Sequence, residues 1–226
     1  MTRSLHTDPP RIRAARRSAA ARSSRGASEP VQRRRAQLWK TLGLPPPAVT
    51  HAVGDSAQPV RIRVSRPRPG FVHPLARRQI VDALAYFGPL AGYGLKSVEL
   101  HHAGDGEPGV PILGRLRVPG TVILFEQRAS PWTIAGRLSE QSLRRLRDAG
   151  AIVDIGPSAT VIDWPEDALA QFMLFDGLMH EVGHHLIQHH TGKRTARVMR
   201  TADHERAAER FAAACRAAWA ARLDPS

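Results

Sequence analysis

Residues 177 to 190 read GLMHEVGHHLIQHH, with five histidines and one glutamate in fourteen positions. Three of them, His180, Glu181 and His184, have the spacing H-E-x-x-H. That spacing carries chemistry only on a helix. At about 100° per residue, His180 and His184 lie about 40° apart on one face and about 6 Å apart along the axis, so two imidazoles can close on one metal ion. Glu181 lies about 100° round from His180, beside such an ion and not on it. It is placed as the general base that takes a proton from the water the ion activates.

Zinc in a hydrolytic site takes a third protein ligand and leaves a fourth position for water. The stretch DHERAAERFAAACRAAW offers one source. Glu205 and Glu209 share a face at i and i+4, while Ala208, Phe211, Ala212 and Cys215 form an apolar strip whose alanines permit close approach of a second helix. Glu205 then reaches the ion, and Glu209 is placed to orient a liganding histidine. His190 is the other source. If the helix runs on, it lies about 15 Å along the axis, out of reach without a break near Ile187. Glu205 is the preferred third ligand. His185, His189 and His190 are expected on the surface.

These residues need elements to hold them. The stretch DWPED starts a helix over 164–191, with Asp163 as cap, Pro165 in the first turn and Glu166 at the capping-box position. Phe172, Phe175, Met179, Val182 and Leu186 mark its core face. Gly183 costs about 1 kcal/mol relative to Ala in mid-helix, which a close-packed neighbour would explain. A second helix is predicted over 203–222. Upstream, HPLARRQIVDALAYFG reads as a helix, with Leu75, Ile80, Leu84 and Phe87 on one side, and KSVELHH as a strand. ILGRLRVPGTVILFEQ reads as a hairpin turned at Pro119-Gly120. SEQSLRRLRDAG is a helix with Ser139 as N-cap and Gly150 as its stop. AIVDIGPSATVIDW gives two short strands. The plan is α+β: a small, mostly antiparallel sheet with an N-terminal helix, then the H-E-x-x-H helix and a glutamate-bearing C-terminal helix. Residues 1–70 form a basic, proline- and arginine-rich arm, largely disordered apart from a short helix around VQRRRAQLWKTLG, and 71–226 the folded domain.

The helix pattern H-E-x-x-H, followed on a second helix by E-x-x-A-[D/E]-x-F-A, resembles the zincin metallopeptidases and, among them, the gluzincins. The matching residues are His180, Glu181 and His184, then Glu205, Ala208, Glu209, Phe211 and Ala212. The similarity spans roughly residues 165–215. In size and plan it is nearest the intracellular members that act on transcriptional repressors. The resemblance implies His180, His184 and Glu205 as ligands of Zn2+, Glu181 as base, and a sheet whose edge strand holds an extended peptide. Two departures stand out. Position 209 is Glu where Asp is commoner. The downstream Tyr or His that many members use to steady the oxyanion is missing, since Tyr86 and Tyr93 are both upstream and His204 is the substitute.

The chain carries a net charge of +13. Residues 1–40 hold ten Arg and one Lys against Asp8 and Glu29, a net of +9, which leaves only +4 for the rest. Thirty Arg against three Lys, and no Asn, also fit a compositional bias. The arm is thus a candidate for nucleic acid, and Lys193, Arg194, Arg197 and Arg200 form a basic loop near the site. A single cysteine, Cys215, excludes disulfides within the chain and fits a reducing compartment. With no apolar leader and no run of 18 apolar residues, a cytoplasmic protein without a membrane span is expected. Two functions follow. The first is a zinc-dependent peptidase, acting on a peptide or protein, in the manner of a regulatory intracellular protease. The alternative is a nucleic-acid-associated regulatory protein with a structural or degenerate zinc site.

Overall fold

The computed structural model describes residues 59–92, 94–103, 112–190 and 201–223. The described chain opens with β1 (Arg61–Val64) and the two-residue β2 (Phe71–Val72), followed by α1 (Arg77–Phe87) and α2 (Pro89–Gly92). Next come β3 (Ser97–His101), β4 (Gly114–Arg117), β5 (Thr121–Phe125), β6 (Gln127–Arg128), β7 (Trp132–Ala135), α3 (Glu140–Asp148), β8 (Ile152–Ile155) and β9 (Ala159–Asp163). The C-terminal part is helical: α4 (Ala168–Phe172), a π-helical segment (Met173–Met179), α5 (His180–His190) and α6 (Ala202–Leu223).

Apolar and polar residues alternate along β1 and β3, and β5 is apolar throughout from Val122 to Phe125, so one face of their sheet is built for burial. Ile62, Val98, Leu100, Val122 and Leu124 point to that face and pack with Ile80 and Phe87 of α1, Met179, Val182 and Leu186 ahead of and within the histidine helix, and Phe211 of α6. The strand order is β1-β3-β5-β4, with β4 at one edge. β1, β3 and β5 are parallel, and β4 pairs antiparallel with β5. The parallel step from β1 to β3 needs a crossover, which α1 and α2 supply. The opposite face carries Arg61, Arg63, Arg115 and Arg117 around a buried Glu99. Burial alone would raise the Glu99 pKa. Arg117 at 2.9 Å, His101 at 3.2 Å and Arg63 at 3.4 Å outweigh it and hold the carboxyl below its ordinary range.

A second, smaller layer is the antiparallel sheet β7-β9-β8 with α3 on it. Trp132, Ile134, Ile162 and Trp164 pack there with Leu146 and with Phe172 of α4. Ser139 caps α3, accepting the Ser142 N–H at 3.1 Å, and Gly150 ends the turn after it at φ +89°. Just after β5, Glu126 is 1 % exposed and accepts the backbone N–H of Arg68 at 2.9 Å and its guanidinium. Burial would raise its pKa, and these Arg68 contacts pull it below the usual carboxylate range.

The α+β class and the elements expected between residues 71 and 163 are present, with four of the six described strand pairings antiparallel. Three expectations need correction. The fold begins before Phe71, because β1 pairs with β3 along Arg61–Val64. Its pattern, RIRV, has only Ile62 as a buried residue, too weak a signal beside the prolines. The helix expected from 164 starts at Ala168 instead. Asp163 ends β9, where its carboxylate accepts from Ser130 Oγ and the Trp164 N–H, and Glu166 turns the chain at φ 45°. A uniform helical period also fails over Met173–Met179, where the ladder widens to π geometry. The segment around VQRRRAQLWKTLG and the loop with Lys193, Arg194, Arg197 and Arg200 lie outside the described residues.

Candidate metal centre

α5 carries the H-E-x-x-H residues and α6 carries Glu205. Thr201 starts α6, its Oγ1 accepting the His204 N–H at 3.3 Å and its carbonyl the Glu205 N–H at 3.0 Å. The two helices meet through small residues. A methyl group on Gly183 would lie 3.1 Å from Ala208 Cα and 3.3 Å from both Ala208 Cβ and Phe211 Cδ1. This is the close neighbour that Gly183 required. The backbones approach where Gly183 meets Ala208, so side chains one turn away on each helix can touch. Val182, Leu186, Phe211 and Cys215 are fully buried around that contact, and each large apolar side chain contributes about 1.5–3 kcal/mol. Burial pushes the Cys215 thiol far up, so it acts as a small apolar residue.

The three expected side chains touch. His180 Nε2 lies 3.1 Å from His184 Nε2, and Glu205 Oε2 lies 3.4 Å from the first and 3.3 Å from the second. The imidazoles stand nearly edge to face, with centroids 4.7 Å apart and planes at 84°. These three donors could hold a metal ion, their atoms all lying within 4.8 Å of one another. The spacing tests the fit more closely. A tetrahedral ion with bonds of about 2.0–2.2 Å sets its ligand atoms about 3.3–3.6 Å apart. The observed edges of 3.1, 3.3 and 3.4 Å form a nearly equilateral triangle, two of them within that span and the histidine–histidine edge just below it. The His184 side chain is 4 % exposed, that of His180 12 % and that of Glu205 40 %, so the centre opens towards solvent on the Glu205 side.

Glu181 is 4 % exposed and lies against the sheet. A methyl on Gly114 would lie 3.6 Å from Glu181 Cγ, 3.1 Å from Leu124 Cδ2 and 2.8 Å from the Ile123 carbonyl oxygen. Gly114 therefore lets the edge strand β4 pass directly beside Glu181. Nothing in the sequence reading singled out Gly114; a glycine opening a strand next to an apolar run was the available signal.

Not every histidine sits where its spacing suggested. His185, expected on the surface, is 5 % exposed, and a methyl on Gly120 would lie 3.4 Å from its Cε1, at the β4–β5 turn. Gln188 is buried too. α5 is enclosed by the hairpin turn as well as by α6, which a one-helix periodicity could not reveal. Helical backbone continues to His190 with no break at Ile187. The side chains of His189 and His190 lie outside the described residues. Glu209 lies 3.4 and 3.5 Å from Gln141 Nε2 and 3.9 Å from an Arg145 nitrogen. Tyr86 donates its hydroxyl to the Ala218 carbonyl at 2.8 Å, and Tyr93 is outside the described residues.

No protein-family model matches the chain, and comparison with curated proteins and with solved structures found no match. No described helix is long and apolar enough to cross a membrane.

Proposed function

We propose that the protein is a zinc-dependent peptidase of gluzincin type, acting in the cytoplasm on a peptide or protein, in the manner of a regulatory protease. The observation that carries this reading is the convergence of His180, His184 and Glu205 on one point, with Glu181 next to the first histidine and against an edge strand. Two neutral imidazoles and one carboxylate form a donor set suited to a catalytic zinc ion. When bound, the ion supplies the Lewis acidity that makes a water nucleophilic near neutral pH and polarises a carbonyl.

The chain's own residues supply the rest. Glu181 takes a proton on its carboxylate and passes it to the leaving amine, a two-way transfer that a carboxylate beside the ion can perform. β4 has no strand partner on its outer edge among the described residues, so an extended peptide can add there by backbone hydrogen bonds, with its carbonyls alongside Glu181. The lone, buried Cys215 fits a reducing compartment.

Incubating the zinc-loaded full chain with a mixed peptide library and reading the products by mass spectrometry tests the proposal. Cleavage is expected for the wild type. Glu181→Gln should keep its zinc and lose cleavage, because the amide fills the same volume but accepts no proton. Cleavage by Glu181→Gln at the wild-type rate contradicts the role of Glu181.

A second reading is binding of nucleic acid, with the zinc site structural or degenerate. The exposed Arg61, Arg63, Arg115 and Arg117 on the outer sheet face favour it, together with the Arg-rich arm. Salt-dependent binding of a nucleic acid, with no cleavage of any peptide, is its signature.

A further inference from the structure

We propose that Arg145 is a positioning residue for the metal centre, resting on the metal reading above: from α3 it ties the helix of His180 to the helix of Glu205. Arg145 Nε donates to Asp176 Oδ1 at 3.0 Å, and one of its terminal nitrogens lies 3.9 Å from Glu209. Asp176 stands four residues before His180, inside the π-helical segment, and Glu209 stands four residues after Glu205. Arg145 thus touches both elements that carry the ligands while belonging to neither.

The surroundings make this tie specific. Arg216 of α6 also pairs with Asp176, and its guanidinium lies over the Phe175 ring at 5.4 Å. Gln141 reaches Glu209 from the turn before Arg145. Arg145, Arg216, Asp148, Asp176 and Glu209 line one cavity of about 170 Å³, with His180 in its wall. The Asp176 side chain is only 10 % exposed, so it is held away from bulk water. Loss of Arg145 leaves Asp176 with Arg216 and Glu209 with Gln141, and the cross-link from α3 to both ligand-bearing elements is gone. The π segment ahead of His180 departs from the regular α ladder, so it is the part that shifts when the tie is cut. A displacement there moves His180 relative to Glu205, and partners behind metal ligands set affinity by this route.

The test compares full-chain Arg145→Met, Arg145→Lys, Glu209→Gln and the double variant Arg145→Met/Glu209→Gln. Zinc affinity is read by competition with a chromophoric chelator, at a temperature where circular dichroism shows every variant folded. Arg145→Met is expected to bind zinc about 10- to 100-fold more weakly. Arg145→Lys, which keeps the charge, recovers part of that loss. The double variant loses less than the two single losses multiplied, because both cut one tie. Arg144→Met, an exposed neighbour on α3, binds as the wild type. Affinity of Arg145→Met within about twofold of wild type, or single losses that simply multiply, overturns the proposal. A wild type that takes up no zinc appears in the first titration and removes the metal reading together with this one.

Discussion

Two parts of the molecule join their elements by opposite means. Where α5 meets α6, the chain uses its smallest residues, Gly183 against Ala208, and brings two backbones close so that His180, His184 and Glu205 can touch. Where β7 and β9 meet α4, it uses its largest. Trp132, Trp164 and Phe172 pack edge to face or tilted, with ring centroids 5.0, 4.9 and 6.4 Å apart, each side chain nearly buried. Aromatic side chains bury much area and set separation loosely. A glycine–alanine contact buries little and sets separation tightly. The aromatic arrangement serves stability and the glycine–alanine contact serves geometry. The candidate metal centre belongs to the part where geometry was favoured.

Substitutions can break that division. Trp164→Ala is expected to have the largest effect on stability, about 3–5 kcal/mol in denaturant unfolding, with unchanged zinc content per folded molecule. Zinc loss from folded Trp164→Ala would mean that the aromatic layer also sets the ligand spacing. Gly183→Val should cost less, about 1–3 kcal/mol of overpacking, yet weaken zinc binding clearly, because α6 must move and Glu205 moves with it. Wild-type affinity in that variant would show that the helix contact does not govern the site.

Glu126→Gln sharpens the comparison from outside both regions, at about 1.5–3 kcal/mol for its charged hydrogen bonds. Arg68 holds the Glu126 carboxyl below its ordinary pKa despite burial. Its contribution to stability is therefore complete above the unfolded carboxylate value and is lost as pH falls through the lower folded value. The variant should be less stable near neutrality, lose that part of the acid dependence of unfolding, and keep its zinc. An unchanged acid limb would show that Glu126 is not one of the groups that set it.

The sequence made the centre legible because its signal is local. The H-E-x-x-H spacing, the Glu205–Ala208–Phe211 face and the misplaced Gly183 each refer to a single helix surface, and two such surfaces suffice to bring the donors together. What the sequence hid depends on partners distant along the chain. β1 has one buried residue, Ile62, and becomes a strand only through pairing with β3. His185 looks like a solvent residue on a helix until the β4–β5 turn covers it. The π segment leaves no mark in an apolar run that serves either period, and Asp176 reads as an ordinary polar residue until Arg145 and Arg216 reach it. Gly114 likewise acquires its role only through the closeness of Glu181.

The most direct test of the account is zinc stoichiometry of the purified, unchelated full chain and of two variants, Glu205→Ala and His190→Ala. With His180, His184 and Glu205 as the donor set, the wild type and His190→Ala each hold one zinc ion per chain. Glu205→Ala keeps two imidazoles and becomes zinc-poor. No stoichiometric zinc in the wild type, or zinc retained by Glu205→Ala and lost from His190→Ala, contradicts the site.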